Sequence, residues 1–191
     1  MSRLPLLPPE ELSAAQKPLF DVIAADSRRM KGREPGTPLS GPFNALLYSP
    51  EIGQTVQELG AKLRFESSLP GYLRELAILT VAKRWRANYE WFAHAPIAER
   101  EGLASDVIAA IKQGAPLPDA PKDVEIVHRF ASELLNDRRV SDETYEAARE
   151  ALGESGLVEL VSLLGYYGII SGLLNAFNVP LPDGEELPFP D

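Results

Sequence analysis

The chain has 191 residues, 45% hydrophobic and 25% charged, enough to bury one substantial core. Nineteen Lys and Arg stand against 28 Asp and Glu, and the formal net charge of -9 argues against nucleic acid or an anionic membrane surface as a partner. With no cysteine, disulfides, thiolate metal sites, iron–sulfur clusters and cysteine nucleophiles are all excluded.

The opening Met1–Pro9 carries one basic residue and an apolar stretch broken by proline, which does not read as a secretory leader; the expected location is cytoplasmic. Apolar positions at helical spacing predict a helix over 12–25, with Ser13 and Gln16 as a capping box and Pro18 able to shorten it. Residues 27–42 carry four basic residues among glycines and prolines and read as a long loop, either mobile or a lid. Helices are predicted over 51–65, ended by Ser67-Ser68-Leu69-Pro70, and over 71–86. The pattern continues with a helix capped by Asn88 and stopped by Gly102, and a short one from Ser105 to Gln113. Three more span 124–135, 141–152 and 155–177. No stretch alternates as a strand does, so the fold class is all-α, a single-domain helical bundle over 1–191 with a core at about 10–182 and flexible proline-rich termini.

Eighteen uncharged residues from Leu160 to Phe177 have the length of a membrane span. Ser162, Ser171 and Asn175, two tyrosines, and glycines at 165, 168 and 172 instead suit a central helix packed closely by neighbours or by another subunit, and no membrane is expected.

The residues with chemistry lie between 72 and 96. Glu75 shares a helix face with Tyr72, Leu79 and Ala82, and a carboxylate in apolar company has a raised pKa unless a cation such as Arg74 or Arg86 reaches it. A buried ion pair is the bland alternative. Glu90 and His94 are four residues apart, neighbours on one face, where a carboxylate can orient an imidazole for acid–base work near neutral pH; a solvated pair is the alternative. Pro96 cannot donate to the carbonyl of Phe92 and is expected to kink or restart the helix just after His94. One histidine with two carboxylates also suits a divalent ion. His128, beside Val124, Val127 and Ala131, reads as a packing residue.

Glu75, Glu90 fifteen residues on, and His94 after four more resemble the carboxymuconolactone decarboxylase family, whose fold is alkylhydroperoxidase-D-like. The peroxidase branch carries a glutamate followed by C-x-x-C-x-x-x-H; by spacing its cysteines fall on Ala87 and Glu90, so this chain resembles the cysteine-free branch. Gly41 to Leu47, Gly165-Tyr166-Tyr167 and Leu174 to Phe177 share the likeness, which covers most of 40–182. In the namesake reaction a carboxylate leaves a lactone carbon, its electrons pass into the lactone carbonyl, and the dienolate is reprotonated on carbon.

The resemblance implies a cofactor-free, metal-free lyase or isomerase acting on a small unsaturated lactone or organic acid, assembled as a trimer or hexamer. Glu75, Glu90 and His94 are then the catalytic candidates, expected to line one cavity, with Glu75 partly protonated and Glu90 the anion that supports an imidazolium. Asn44, Trp91, Tyr166, Tyr167 and Asn175 are the candidate substrate-binding residues. Because fold does not dictate function, a non-catalytic oligomer binding a small ligand or a protein is the rival reading.

Overall fold

The structure is a computed structural model describing residues 2–26 and 34–190, so the loop expectation over 27–33 lies outside the described residues. These residues form helices and contain no strand. In chain order the α-helices are α1 (Lys17–Ala25), α2 (Pro42–Leu46), α3 (Pro50–Phe65), α4 (Gly71–Trp85), α5 (Asn88–Arg100), α6 (Ser105–Gln113), α7 (Lys122–Asp137) and α8 (Asp142–Ala176), with a 3-10 turn at Pro9–Glu11.

The hub of the bundle is α4, which packs against α5, α6, α7 and α8. Leu76, Ala77, Ile78, Leu79, Val81 and Ala82 are all fully buried, as an apolar helix surface running nearly all the way round requires. The final apolar helix packs against α2, α3, α4 and α7. Although α8 is long and apolar enough to cross a membrane by length and composition, half of its apolar window is buried in the bundle. Val158, Val161 and Ile169 remain exposed on it. It is also two helical segments in one, broken at Gly153 where φ is +69°, a conformation that glycine adopts without strain. Ser141 caps its start by accepting from the Thr144 amide.

Several predicted caps do other work. The Ser13 amide and hydroxyl both reach Gln16 Oε1, at 2.9 and 3.0 Å, but in a turn that precedes α1, which starts only at Lys17 beside Pro18. Asn88 lies within the first turn of α5 and accepts at 2.7 Å from the amide of Phe189, so it anchors the C-terminal segment. That segment also accepts at Pro190 from Arg86. At the other end Asn44 accepts from the Leu7 amide and donates to the Pro5 carbonyl, while the Arg3 amide donates to Phe177. Hydrogen bonds thus link both described terminal segments to the bundle. The helix α5 continues through Pro96 and does not restart there, and Ala98 beyond it is fully buried.

A Cβ on Gly53 would lie 2.4 Å from the Leu46 carbonyl oxygen, where the end of α2 crosses α3. Ala in an open helix position stabilises relative to Gly. Here Gly53→Ala is expected to destabilise by about 1–3 kcal/mol, because backbone has to move. A lowered melting temperature in calorimetry checks this, and an unchanged or raised one contradicts it.

Candidate active site

Helix α4 ends at Arg86, a left-handed residue at φ +50°, and the amide of Ala87 closes the turn onto the Ala82 carbonyl at 2.9 Å. This tight link folds α5 back along α4 and brings Glu75 and His94, nineteen residues apart, side by side. His94 Nδ1 lies 2.6 Å from Glu75 Oε2, and both side chains are buried. On the other edge of the ring His94 Nε2 is 3.4 Å from Glu90 Oε2, a buried oxygen without a hydrogen-bond partner. The Tyr167 ring meets the imidazole edge-on, with centroids 5.1 Å apart, and Tyr166 packs edge-on against Tyr167.

The two carboxyls take opposite electrostatic states. Burial works to raise Glu75, but the charge and hydrogen bond of His94, with Arg64 and Arg74, outweigh it and hold the carboxyl below its ordinary value. Arg74 Nε approaches Glu75 Oε1 at 4.0 Å, the cation that the sequence reading left open. Burial pushes the Glu90 carboxyl up, against the pull of His94 and Arg64, and the Glu75 charge adds to the rise. Both shifts run against the expected assignment of Glu75 as partly neutral and Glu90 as the anion. Arg64 bears on both carboxyls, Arg74 on Glu75 alone, and Glu90 lacks a partner at Oε2. Burial also drives the Tyr167 phenol well above its usual range, so it stays protonated.

A cavity of about 360 Å³ opens on this cluster, lined by Glu90, His94, Tyr166, Tyr167, Tyr89 and Arg64 among others. Glu75 does not line it; only 1% exposed, it sits behind the imidazole. The three candidates therefore converge, but two face the cavity and the third orients one of them. Of the binding candidates, Tyr166 and Tyr167 line the same cavity. Trp91 is in the core, edge-on to Phe189 at 5.2 Å. Asn44 is occupied with the N-terminal segment, and Asn175 donates at 2.7 Å to the Trp85 carbonyl on an exposed surface. His128 lines a separate cavity beside Lys83 and Arg86, and burial lowers its pKa. Among the described residues no group of three His, Asp or Glu side chains is arranged to hold a metal ion.

Sequence reasoning missed Arg64. Its guanidinium is half-buried in the cavity wall, and the surrounding Tyr167, Glu75, Glu90 and Tyr166 raise its pKa against the lowering effect of burial. Gly53, Gln57, Gly60 and Arg64 share one face of α3, the first three buried, and that row of small and polar residues was a legible sign of close contact. A Cβ on Gly60 would lie 2.1 Å from the Tyr166 hydroxyl, so the glycine admits that ring beside Arg64.

No protein-family model matches the chain, and no curated protein matches it in sequence. Among solved structures it is similar to an alkylhydroperoxidase AhpD core protein, peroxidase-related, from Ralstonia eutropha JMP134, with a TM-score of 0.73 at 15% identity over 95% of this chain and 93% of that one. A peroxidase-related protein from Silicibacter sp. TM1040 gives a TM-score of 0.71 at 15% identity, covering 96% of this chain and 92% of its own. The debrominase Bmp8, solved as a cysteine-to-alanine variant with 2,3,4-tribromopyrrole, gives 0.72 at 13% identity, covering 96% and 95%. At such identities the likeness speaks for architecture alone, and the architecture is clear: the chain has the all-helical fold of the alkylhydroperoxidase AhpD core, without its cysteines.

Proposed function

We propose that the chain is a cofactor-free acid–base enzyme, a lyase or isomerase acting on a small unsaturated lactone or organic acid. The observation that carries this reading is the buried 2.6 Å contact of Glu75 with His94, set behind a cavity that His94 and Glu90 face. Ionised Glu75 accepts from Nδ1–H, which leaves the Nε2 lone pair directed toward Glu90 and the cavity. His94 Nε2 removes a proton from an acidic substrate carbon, and Glu75 stabilises the resulting imidazolium. Glu90, its carboxyl favoured in the neutral form, donates a hydrogen bond to the oxyanion as enolate charge develops. Returning the proton to a different carbon isomerises the substrate. If the carbon–carboxylate bond breaks instead, His94 enters the step as the imidazolium, having taken its proton from water; carbon dioxide leaves, its bonding electrons enter the enolate, and the imidazolium protonates carbon.

A bland buried ion pair would account for Glu75 but not for Glu90, an acid with an unpartnered oxygen beside an imidazole at a cavity wall. That favours catalysis over a non-catalytic binding role. The test is a screen of unsaturated lactones and cyclic acids with product detection; products formed by the wild-type protein and not by His94→Ala support the reading. Equal product from both overturns it.

The exposed Val158, Val161 and Ile169 on α8, with Trp85 beside Gly168 and Gly172, form an apolar face that supports a homo-oligomer, a trimer or hexamer, built on this helix. Sedimentation is expected to give an oligomer that Val161→Glu dissociates; a monomeric wild-type protein contradicts this.

A further inference from the structure

A second cavity, of about 630 Å³, lies on the other side of Tyr89 from the His94 cavity. Ser40 and Tyr89 line both. Beyond them the walls change character: the first cavity carries Arg64, Glu90 and His94, whereas the second is lined by Leu4, Leu6, Ala45, Phe177, Val179 and Leu181, among other residues. The partition is a side chain set against a glycine. Gly41 has φ +61°, and a Cβ there would lie 2.7 Å from the Tyr89 ring, so only glycine lets the ring close against the backbone. The Tyr89 hydroxyl is held by one long contact, 3.5 Å to Ser40 Oγ.

The charge distribution fixes which end of a ligand goes where. Arg64 lines the polar cavity and forms no hydrogen bond or close ion pair with any described residue; Tyr167, Glu75, Glu90 and Tyr166 act on it through charge alone, and its guanidinium lies 5.2 Å from the Phe65 ring. Both nearby carboxyls feel its charge but neither hydrogen-bonds to it: Glu75 is committed to His94, and Glu90 Oε2 has no hydrogen-bond partner. A guanidinium left with unused donors in a cavity wall matches a carboxylate, which it binds by charge-assisted and commonly bidentate hydrogen bonds.

We propose that the two cavities form one bipartite site for an amphipathic carboxylic acid, its carboxylate on Arg64 beside His94 and its apolar body passing Tyr89 into the chamber walled by Leu4 and Leu181. This deepens the acid–base reading by naming the substrate class. Arg64 anchors the charged end and the apolar chamber selects for size. Apolar walls with a few placed polar groups are the ordinary make-up of small-molecule sites.

The test is calorimetric binding of straight-chain carboxylates of four to fourteen carbons, and of the matching alcohols, to the full chain. The wild-type protein should bind the acids more tightly as they lengthen, by up to about fourfold per methylene group buried. Arg64→Gln should weaken the acids by about 10- to 100-fold while leaving the alcohols unchanged. Leu181→Asp, in the C-terminal segment outside the helices, should preserve binding of the short acids and stop the gain for the long ones. Leu4→Trp, which fills the same chamber without adding charge, serves if Leu181→Asp does not fold. A flat length series in the wild-type protein, acids no better than alcohols, or an unchanged series in the chamber variant overturns the proposal. Because binding is read without turnover, its failure leaves the His94 chemistry standing. Loss of turnover in His94→Ala with the length series intact separates the two claims in the other direction.

Discussion

His94→Ala is expected to lower turnover by about 10²–10⁴-fold, the usual contribution of one positioned acid–base group, while the helical content stays unchanged. Glu75→Gln should cost about as much although it never meets the substrate. An amide donating to Nδ1 would hold the imidazole in the opposite tautomer, with its lone pair turned from the cavity. Glu90→Gln is the milder change, on the order of tenfold, because an amide still donates toward the oxyanion position but cannot supply a proton. Steady-state rates on any substrate from the lactone and acid screen decide this. A Glu75→Gln protein with wild-type rate would reduce the buried contact to a structural pair.

Stability should move in opposite directions at the two glutamates. The folded-state carboxyl of Glu90 lies above its unfolded value, so its ionisation is penalised in the fold. That penalty is absent below the unfolded pKa of about 4.3 and grows as pH rises through the folded one. Glu75 is the reverse: its folded value is depressed, so its stabilisation is present above the unfolded pKa and is lost as pH falls through the folded pKa. Glu90→Gln is thus expected to stabilise the protein at neutral pH by about 1–3 kcal/mol, a gain that disappears near pH 4. Glu75→Gln should destabilise by about 3 kcal/mol at neutral pH, since it leaves Arg74 and His94 without their buried anion, and the deficit should shrink in acid. Each kcal/mol corresponds to about 2–4 °C in melting temperature for a domain of this size. Shifts of the same sign at pH 7 would contradict the charge assignment.

The helices were legible because 3.6-residue periodicity and the Gly and Pro stops are local, and most predicted ends fall within two residues of those observed. The short α2 was hidden in a glycine- and proline-rich stretch because its residues are buried by tertiary contact with α3. Asn88 has capping chemistry, but Phe189 claimed its side chain, and no local pattern records a partner 101 residues away. Spacing alone paired Glu90 with His94. The approach of Glu75 followed only from the resemblance to a known family, because it depends on α5 folding back along α4. The shifts ran against the reading because the lowering of Glu75 comes first from the charge and hydrogen bond of His94, across the α4–α5 fold-back, and then from Arg64 on α3, neither of which is local to Glu75.

The central claim, that His94 Nε2 moves protons to and from substrate carbon, is tested most directly by solvent deuterium incorporation. Unsaturated lactones and carboxylic acids are incubated with the protein in deuterium oxide, and carbon-bound deuterium is read by mass spectrometry and proton NMR, whether or not net reaction follows. Incorporation by the wild-type protein that falls to the uncatalysed rate in His94→Ala is the predicted result, and incorporation by His94→Ala at the wild-type rate would contradict it.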